Sequence, residues 1–77
     1  DLGLWPNPAQ DVVQIRVPHQ VDWMAHDVAG RVIGAGTWPA GIHVLDVSGW
    51  APGAYAISVR SEGRQQVTAT RFQVVRP

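Results

Sequence analysis

The sequence has no cysteine, so the chain forms no disulfide and offers no thiolate as metal ligand or nucleophile. It also has no lysine, and its six arginines are balanced by six acidic residues. A neutral chain lacks the electrostatic surface that binds nucleic acid or an anionic membrane. Long apolar runs are missing as well, and none approaches the roughly 20 residues needed to span a bilayer.

The length of 77 residues, of which 45% are hydrophobic, predicts one small folded domain over residues 1–77. A chain of this size hides only about 60% of its unfolded surface, which leaves no room for a deep catalytic cleft. The start has neither an initiator Met nor a targeting segment. We therefore expect a domain excised from a larger protein.

Apolar residues alternate with polar residues at a period of two, as in strands with one buried face. Such runs predict seven strands, at about 3–5, 12–17, 21–27, 31–36, 42–48, 54–60 and 65–75. Turn signals every 8 to 12 residues or so are typical of two stacked antiparallel sheets. The sequence therefore predicts an all-β fold, a seven-stranded antiparallel immunoglobulin-like β-sandwich.

Three local features refine this prediction. We expect a tight hairpin at 61–64, with Gly63 at positive φ. A bulge near 68–70 would let both Val67 and Phe72 reach the core. The Gly34-Ala35-Gly36 run is interpreted as a plain loop, since no helix follows it to bind a phosphate.

Four motifs mark the chain, and two of them stand early: Trp5-Pro6-Asn7-Pro8-Ala9 and Asp27-Val28-Ala29-Gly30-Arg31. Pro6 and Pro8 favour an extended approach, and the Asn7 side chain is expected to bond its own backbone two residues on. Gly30 is predicted to take a positive φ in a hairpin turn, with Arg31 paired to Asp27 or solvated.

The other two motifs are Trp50-Ala51-Pro52-Gly53-Ala54-Tyr55 and the closing Phe72-Gln73-Val74-Val75-Arg76. Pro52 and Gly53 suit the central positions of a type II turn, whose third residue needs positive φ. Tyr55 is expected to bury its ring and keep its hydroxyl at a polar edge. These roles specify a fold and no activity.

With these motifs in this order, the chain resembles the C-terminal sorting domain of cargo proteins of the type IX secretion system of Bacteroidetes. It departs from the family pattern by Trp5, where Tyr is usual, and by Trp50, where Leu is usual. The resemblance implies a signal that directs a folded passenger from the periplasm through an outer-membrane translocon to the cell surface or the medium. A cell-surface sortase then commonly removes the domain, with the passenger attached to anionic lipopolysaccharide.

The resemblance also implies that the translocon recognises the last strand and terminal residues: Thr70, Arg71, Phe72, Gln73, Val74, Val75 and Arg76. We expect Phe72 and Val74 to hold this strand on the core. Gln73, Val75 and Arg76 would then face outward and supply specificity. Pairing with a receptor should stop before Pro77, which has no N–H to donate.

The partners implied are translocon and shuttle proteins, the sortase and an N-terminal passenger domain, with no nucleic acid. A homodimer through edge strands, the last strand above all, is a further possibility.

Catalysis, metal binding and cofactors are not expected. His19, His26 and His43 are unpaired in the sequence and are interpreted as solvated or edge residues, since a metal site needs three or four converging ligands. No nucleophile-elbow motif occurs.

The four tryptophans leave two alternatives open, a carbohydrate-binding β-sandwich module and a fibronectin-like spacer. We expect Trp23 and Trp50 in the core and Trp5 in the core or packed on the Pro-Asn-Pro turn. Only Trp38 is left as a surface residue for a sugar to stack on.

Overall fold

The computed structural model describes residues 3–61, 63 and 66–76. Its seven strands are β1 (Gly3–Trp5), β2 (Val12–Val17), β3 (Val21–Asp27), β4 (Val32–Trp38), β5 (Gly41–Asp46), β6 (Gly53–Ser61) and β7 (Val67–Val74). The first three coincide with the predicted strands, and the other ends differ by one or two residues. Over the described ranges, no helix is long and apolar enough to cross a membrane.

The strands form two antiparallel sheets, as the period of two predicts. One sheet has three strands in the order β1-β2-β5, and the other has four in the order β4-β3-β6-β7. After β1 the chain crosses to the second sheet, where Ala9 forms an isolated parallel bridge with Val74. The seven-stranded immunoglobulin-like β-sandwich is confirmed.

The core lies between the sheets and consists of the inward residues of both. Isoleucine and valine dominate, since branched side chains pack well on a pleated surface. The largest fully buried side chains are Phe72, Ile15, Ile57, Val13, Val17, Val21, Val47 and Val74. Burying one such side chain stabilises the fold by about 1.5–3 kcal/mol.

The bulge expected near 68–70 is wrong. The pairing of β6 with β7 runs without a shift from Arg60–Val67 to Gly53–Val74. Val67 and Phe72 therefore lie on opposite faces of β7, and Val67 is 56% exposed. The irregularity lies instead in the pairing of β3 with β4, between Ala25 and His26.

The Gly34-Ala35-Gly36 run is part of β4, in agreement with the strand predicted at 31–36, and its interpretation as a plain loop is wrong. Trp23 of β3 covers the inner face of this run. A Cβ added at Gly36 would lie 3.0 Å from Trp23 Nε1, and one added at Gly34 would lie 3.2 Å from the Trp23 ring. The glycines are therefore explained by an indole that needs their empty space, which local sequence patterns do not reveal.

Two tryptophan predictions are reversed. Trp38, expected in a loop, ends β4, is half-buried and packs on the core. It stacks on Trp23 with ring centroids 4.5 Å apart. Trp5, expected in the core or against the turn, is 37% exposed, because its β1 neighbour Leu4 takes the inward position. Trp23 and Trp50 pack on the core as predicted.

Candidate recognition site

The two faces of β7 differ sharply, as predicted for the last strand. Phe72 and Val74 are each 1% exposed and anchor the strand on the core. Arg71 and Gln73 are exposed on the outer face. The remaining residues expected to form the recognition element, Thr70, Val75 and Arg76, are half-buried. Pro77, before which pairing was expected to stop, lies outside the described residues.

The outer edge of β7 is partly covered by the segment Asn7–Ala9. The backbone N–H of Gln73 donates to Asn7 Oδ1 at 3.0 Å, and Asn7 Nδ2 makes a longer bond, 3.5 Å, to the Arg71 carbonyl. Next to it, the N–H of Ala9 donates to the Gln73 carbonyl at 2.8 Å, and the N–H of Val75 donates to the Ala9 carbonyl at 2.9 Å. The expected bond from Asn7 to its own backbone is thus replaced by bonds to β7, 64 and 66 residues away.

These bonds show which backbone groups of β7 point away from β6. In an antiparallel pair the N–H and C=O of one residue point to the same side, and neighbours alternate. Because the backbone N–H and C=O of Gln73 point away from β6, those of Val67, Ala69 and Arg71 also point away from β6. No described residue outside β7 bonds the outward groups of Val67 and Ala69. As far as residues 3–61, 63 and 66–76 are concerned, the first half of the edge is therefore open to a further strand.

Arg76 acts as a clamp between the end of the chain and the β5–β6 loop. Its Nη2 donates to the carbonyls of Val47 at 2.9 Å, Ser48 at 2.8 Å and Trp50 at 2.6 Å. Its Nη1 donates to the carbonyl of Gln10. The expectation that Arg76 faces outward is therefore wrong. Its guanidinium donates to backbone carbonyls that accept from no other described side chain.

The Asp27–Arg31 turn connects β3 with β4 as predicted. Gly30 has φ 83°, and its N–H donates to the Asp27 carbonyl at 3.0 Å. Asp27 Oδ1 accepts from the N–H groups of Ala29 at 2.9 Å and Arg31 at 3.0 Å, and Oδ2 accepts from Arg31 Nε at 2.8 Å. The predicted pairing of Arg31 with Asp27 is confirmed.

These bonds also change the acidity of the turn. The N–H of Arg31, above all, holds the pKa of Asp27 below its usual 3.8, with the Arg31 guanidinium and the N–H of Ala29 adding to it and partial burial opposing it. Because the folded-state pKa is the lower one, the stabilisation is complete above the unfolded pKa. It is lost as the pH falls through the folded pKa, below 3.8.

Tyr55 and Phe72 join the third motif to β7. The Tyr55 ring is 9% exposed, and its hydroxyl donates to the Ala51 carbonyl at 2.5 Å. Trp50 packs beside both rings, with centroids 4.9 Å from Tyr55 and 6.1 Å from Phe72. The buried ring predicted for Tyr55 is confirmed, and a backbone carbonyl of the β5–β6 loop satisfies its hydroxyl.

Glycine conformations confirm the positive φ predicted for Gly30 and Gly63, whereas the tight hairpin predicted at 61–64 lies partly outside the described residues. Gly63 has φ 76°, as expected for the β6–β7 connection, although 62, 64 and 65 lie outside the described residues. Gly53 also has positive φ, but its 152° is far from the roughly 80° of a type II turn. It already pairs with Val74 as the first residue of β6, so Pro52 and Gly53 open a strand.

A shallow groove of about 300 Å³ lies on the outer face of the four-stranded sheet, beside β7. It is lined by Asp27, Val28, Ala54, Tyr55, Ala56 and Arg71. Sequence motifs 44 residues apart therefore meet at one surface, which includes the exposed Arg71 of the predicted recognition element.

The histidines do not converge. His19 bonds Ser61 Oγ at 2.5 Å, and His43 bonds the Pro39 carbonyl at 2.7 Å while stacking on Trp38. Within the described ranges, no three His, Asp or Glu side chains come close enough to hold a metal ion. The site therefore consists of backbone edge, side-chain clamps and a groove, an arrangement suited to binding a polypeptide.

The comparison with protein families decides what this arrangement belongs to. The model of the family described as "Secretion system C-terminal sorting domain" matches residues 3–74, nearly the whole chain. The chain belongs to this family. The resemblance carried by the four motifs is confirmed, and membership in a family of type IX secretion sorting domains implies a protein that is secreted or attached to the cell surface. A sorting domain is not itself catalytic.

Among solved structures, the chain is similar to part of PorZ, described as an essential bacterial surface component of the type-IX secretion system of Porphyromonas gingivalis. The identity is 22% and the TM-score 0.85, over 97% of this chain and 11% of PorZ. This likeness shows the fold, and this chain spans about a tenth of that one. A comparison with curated proteins finds no match.

Proposed function

We propose that this sorting domain directs a folded passenger through the type IX secretion system, and that a translocon component recognises it by adding a strand to the open half of the β7 edge. The open backbone groups of Val67 and Ala69, beside the exposed Arg71, are the observation that carries this proposal. Strand addition is a general mode of peptide recognition, in which backbone bonds supply affinity and flanking side chains supply specificity.

Within this proposal, the residues expected in the recognition element have different tasks. Phe72 and Val74 hold the strand on the core, and Arg76 ties the end of the chain to the β5–β6 loop. Arg71 and Gln73 present side chains to solvent, with the groove beside Arg71. Specificity therefore rests with Arg71 and Gln73, while the half-buried residues keep the strand in place.

Deleting residues 70–77 is a poor test, because it removes Phe72 and Val74 and so unfolds the domain. A sharper test uses Ala69→Pro and Arg71→Glu in a fusion of a reporter to the chain. The N–H of Ala69 points outward, so proline removes a donor that β6 does not use. We expect both variants to leave the reporter in the periplasm while the fold, followed by near-ultraviolet circular dichroism, is retained.

The matched control is Ala35→Pro in β4, the strand at the opposite edge of the same sheet. The strand register, followed from β7 across β6 and β3 to β4, makes the Ala35 N–H point away from the sheet as well. The effect of Ala35→Pro on the fold should therefore equal that of Ala69→Pro. Secretion of the Ala35→Pro fusion should continue. If Ala69→Pro and Arg71→Glu fusions, with folded domains, reached the medium as efficiently as the parent, recognition through the β7 edge would be wrong.

The resemblance carries three further parts of this proposal. The passenger lies N-terminal to the domain, the fusion passes through the periplasm, and a cell-surface sortase removes the domain. Detection of a freed passenger in the medium, together with the released domain, tests the last step. An intact fusion on the cell surface would show that the domain is retained.

A carbohydrate-binding role is the second candidate, with Trp5 in place of Trp38 as the residue on which a sugar would stack. Trp38 is packed on Trp23 and the core, whereas Trp5 is 37% exposed on the outer face of the three-stranded sheet, next to Gln14 of β2. Affinity electrophoresis in polysaccharide gels, with Trp5→Ala as the variant and Trp38 intact, tests it. Retardation that Trp5→Ala abolishes would favour sugar binding.

A further inference from the structure

The strand β4 forms the other edge of the four-stranded sheet, opposite β7. Its seven residues, Val32–Trp38, include no charged residue and no proline. Val32 and Ile33 are 54% and 39% exposed. Natural edge strands are usually protected against pairing by charges, proline or a covering segment. No described residue outside the sheet bonds the backbone of β4, so the part of the chain that the structure describes gives this edge none of these protections.

The outward backbone groups of β4 follow from the alternation already established at β7. Odd residues of β7 point outward, so its even residues bond β6, and the register then alternates strand by strand across the sheet. This register makes Gly34, Gly36 and Trp38 the residues of β4 whose backbone groups bond β3. The N–H and C=O groups of Ile33, Ala35 and Thr37 therefore point away from the sheet.

From this spacing we infer that two copies of the chain pair through β4 in an antiparallel, two-fold symmetric seam centred on Ala35. Around that axis Ala35 meets Ala35 of the second copy, and Ile33 meets Thr37. Each outward N–H then faces an outward C=O, so all three residues on each copy are satisfied at once. Two four-stranded sheets become one continuous sheet of eight strands.

The side chains along the seam fit the same axis. Ile33 and Thr37 form a β-branched cross-strand pair, of a kind that stabilises sheets, and no like charges face each other. On the inner side, Gly34 meets Gly36 of the second copy, where neither residue has a side chain to clash. A two-fold interface needs such a self-complementary surface, and a second copy is the occupant that supplies it.

The β7 edge does not offer a comparable seam. An axis through Ala69 would pair Val67 with Arg71, but the Arg71 carbonyl and the backbone of Gln73 are already bonded to Asn7 and Ala9. Self-pairing is therefore assigned to β4, and β7 is left for another chain. This inference does not depend on the proposed recognition of β7.

The test is sedimentation equilibrium of the 77-residue chain, from micromolar to millimolar concentration. We expect the mass to rise from 8.4 kDa toward twice that value. Ala35→Pro removes the two central hydrogen bonds without a loss to β3, and should raise the dissociation constant about tenfold or more. The matched variant Ala69→Pro, at the equivalent position of β7, should leave it unchanged.

A charge-pair experiment tests the axis itself. Ala35→Lys and Ala35→Glu should each weaken pairing with their own copies, since like charges would meet across the seam. Mixing the two variants should restore the dimer, which a variant that merely fails to fold could not do. A wild-type chain that stays monomeric at millimolar concentration, a dimer weakened by Ala69→Pro alone, or a mixture that stays monomeric would each overturn the inference.

Discussion

At one edge of the four-stranded sheet, β7 has the second half of its outward backbone groups bonded to Asn7 and Ala9. At the other edge, β4 presents Ile33, Ala35 and Thr37, whose outward backbone groups no residue in the described ranges covers. β7 carries the exposed Arg71, whereas β4 carries no charge. Both are edge strands of one sheet. Residues from far along the chain bond outward backbone groups of β7, whereas no described residue outside the sheet bonds those of β4. An edge strand thus takes its character from what the rest of the fold brings to it.

The largest effect is expected from removing the Arg76 guanidinium, which holds the residues after β7 on the β5–β6 loop. Arg76→Met keeps much of the side-chain volume but removes the guanidinium donor from the carbonyls of Val47, Ser48 and Trp50. Of these, the Val47 carbonyl still accepts from the Trp50 N–H. We expect a loss of about 2–3 kcal/mol in the free energy of unfolding, because hydrogen bonds to a charged group are among the stronger ones. Urea unfolding measures it.

Arg60→Met is the control for the Arg76 clamp. Arg60 is an exposed arginine of β6 whose Nη2 lies 3.9 Å from an Asp22 carboxylate oxygen, an ion pair worth little at the surface. Its loss should change the unfolding free energy by less than about 0.5 kcal/mol. Equal losses for Arg76→Met and Arg60→Met would show that the clamp contributes nothing special.

The bare edge has a structural weak point of its own in Gly36. Gly36→Ala brings a methyl group to 3.0 Å from Trp23 Nε1, so the indole must shift. We expect β4 to loosen and stability to fall by about 1–2 kcal/mol, within the range for overpacked sites. Gly49→Ala is the matched control, because a Cβ there meets nothing within 4 Å. A Gly36→Ala chain as stable as the control would mean that Trp23 yields without cost.

The smallest expected effect sharpens the comparison by making β7 more like β4. Asn7→Ala removes the acceptor for the Gln73 N–H and should cost about 1 kcal/mol. Hydrogen exchange of the Gln73 amide should become faster, while the amides of Phe72 and Val74, which bond β6, stay protected. Asn7→Asp retains an acceptor and should keep much of the Gln73 protection. Unchanged exchange in Asn7→Ala would contradict a covering role for this side chain.

Local sequence patterns predicted the strands, the sandwich and several turns. The period of two placed Val13, Ile15 and Val17 inward, and Gly30 and Gly63 take the positive φ that their turns require. These features depend on neighbours within a few residues, so they can be read from the sequence. The four motifs also indicated the family that the comparison confirmed.

The errors concern residues whose environment comes from far along the chain. Trp5 and Trp38 exchange the positions expected for them, because only the packing of the two sheets decides which ring meets another. A guanidinium at position 76 was expected to face solvent, since nothing in the sequence shows that the carbonyls of the β5–β6 loop lie beside it. The prediction of a bulge near 68–70 rests on a last strand at 65–75, whereas β7 is the shorter Val67–Val74.

The lack of cysteine, of lysine and of long apolar runs did determine much of this protein by itself. With the alternating pattern, it required a small neutral sandwich that relies on packing. Only the tertiary structure decided how the edges of the four-stranded sheet are bonded. Asn7 and Ala9 bond backbone groups of β7, and no described residue outside the sheet bonds the outward groups of β4. Backbone groups are alike in every residue, so only their neighbours in space distinguish an open edge from a covered one.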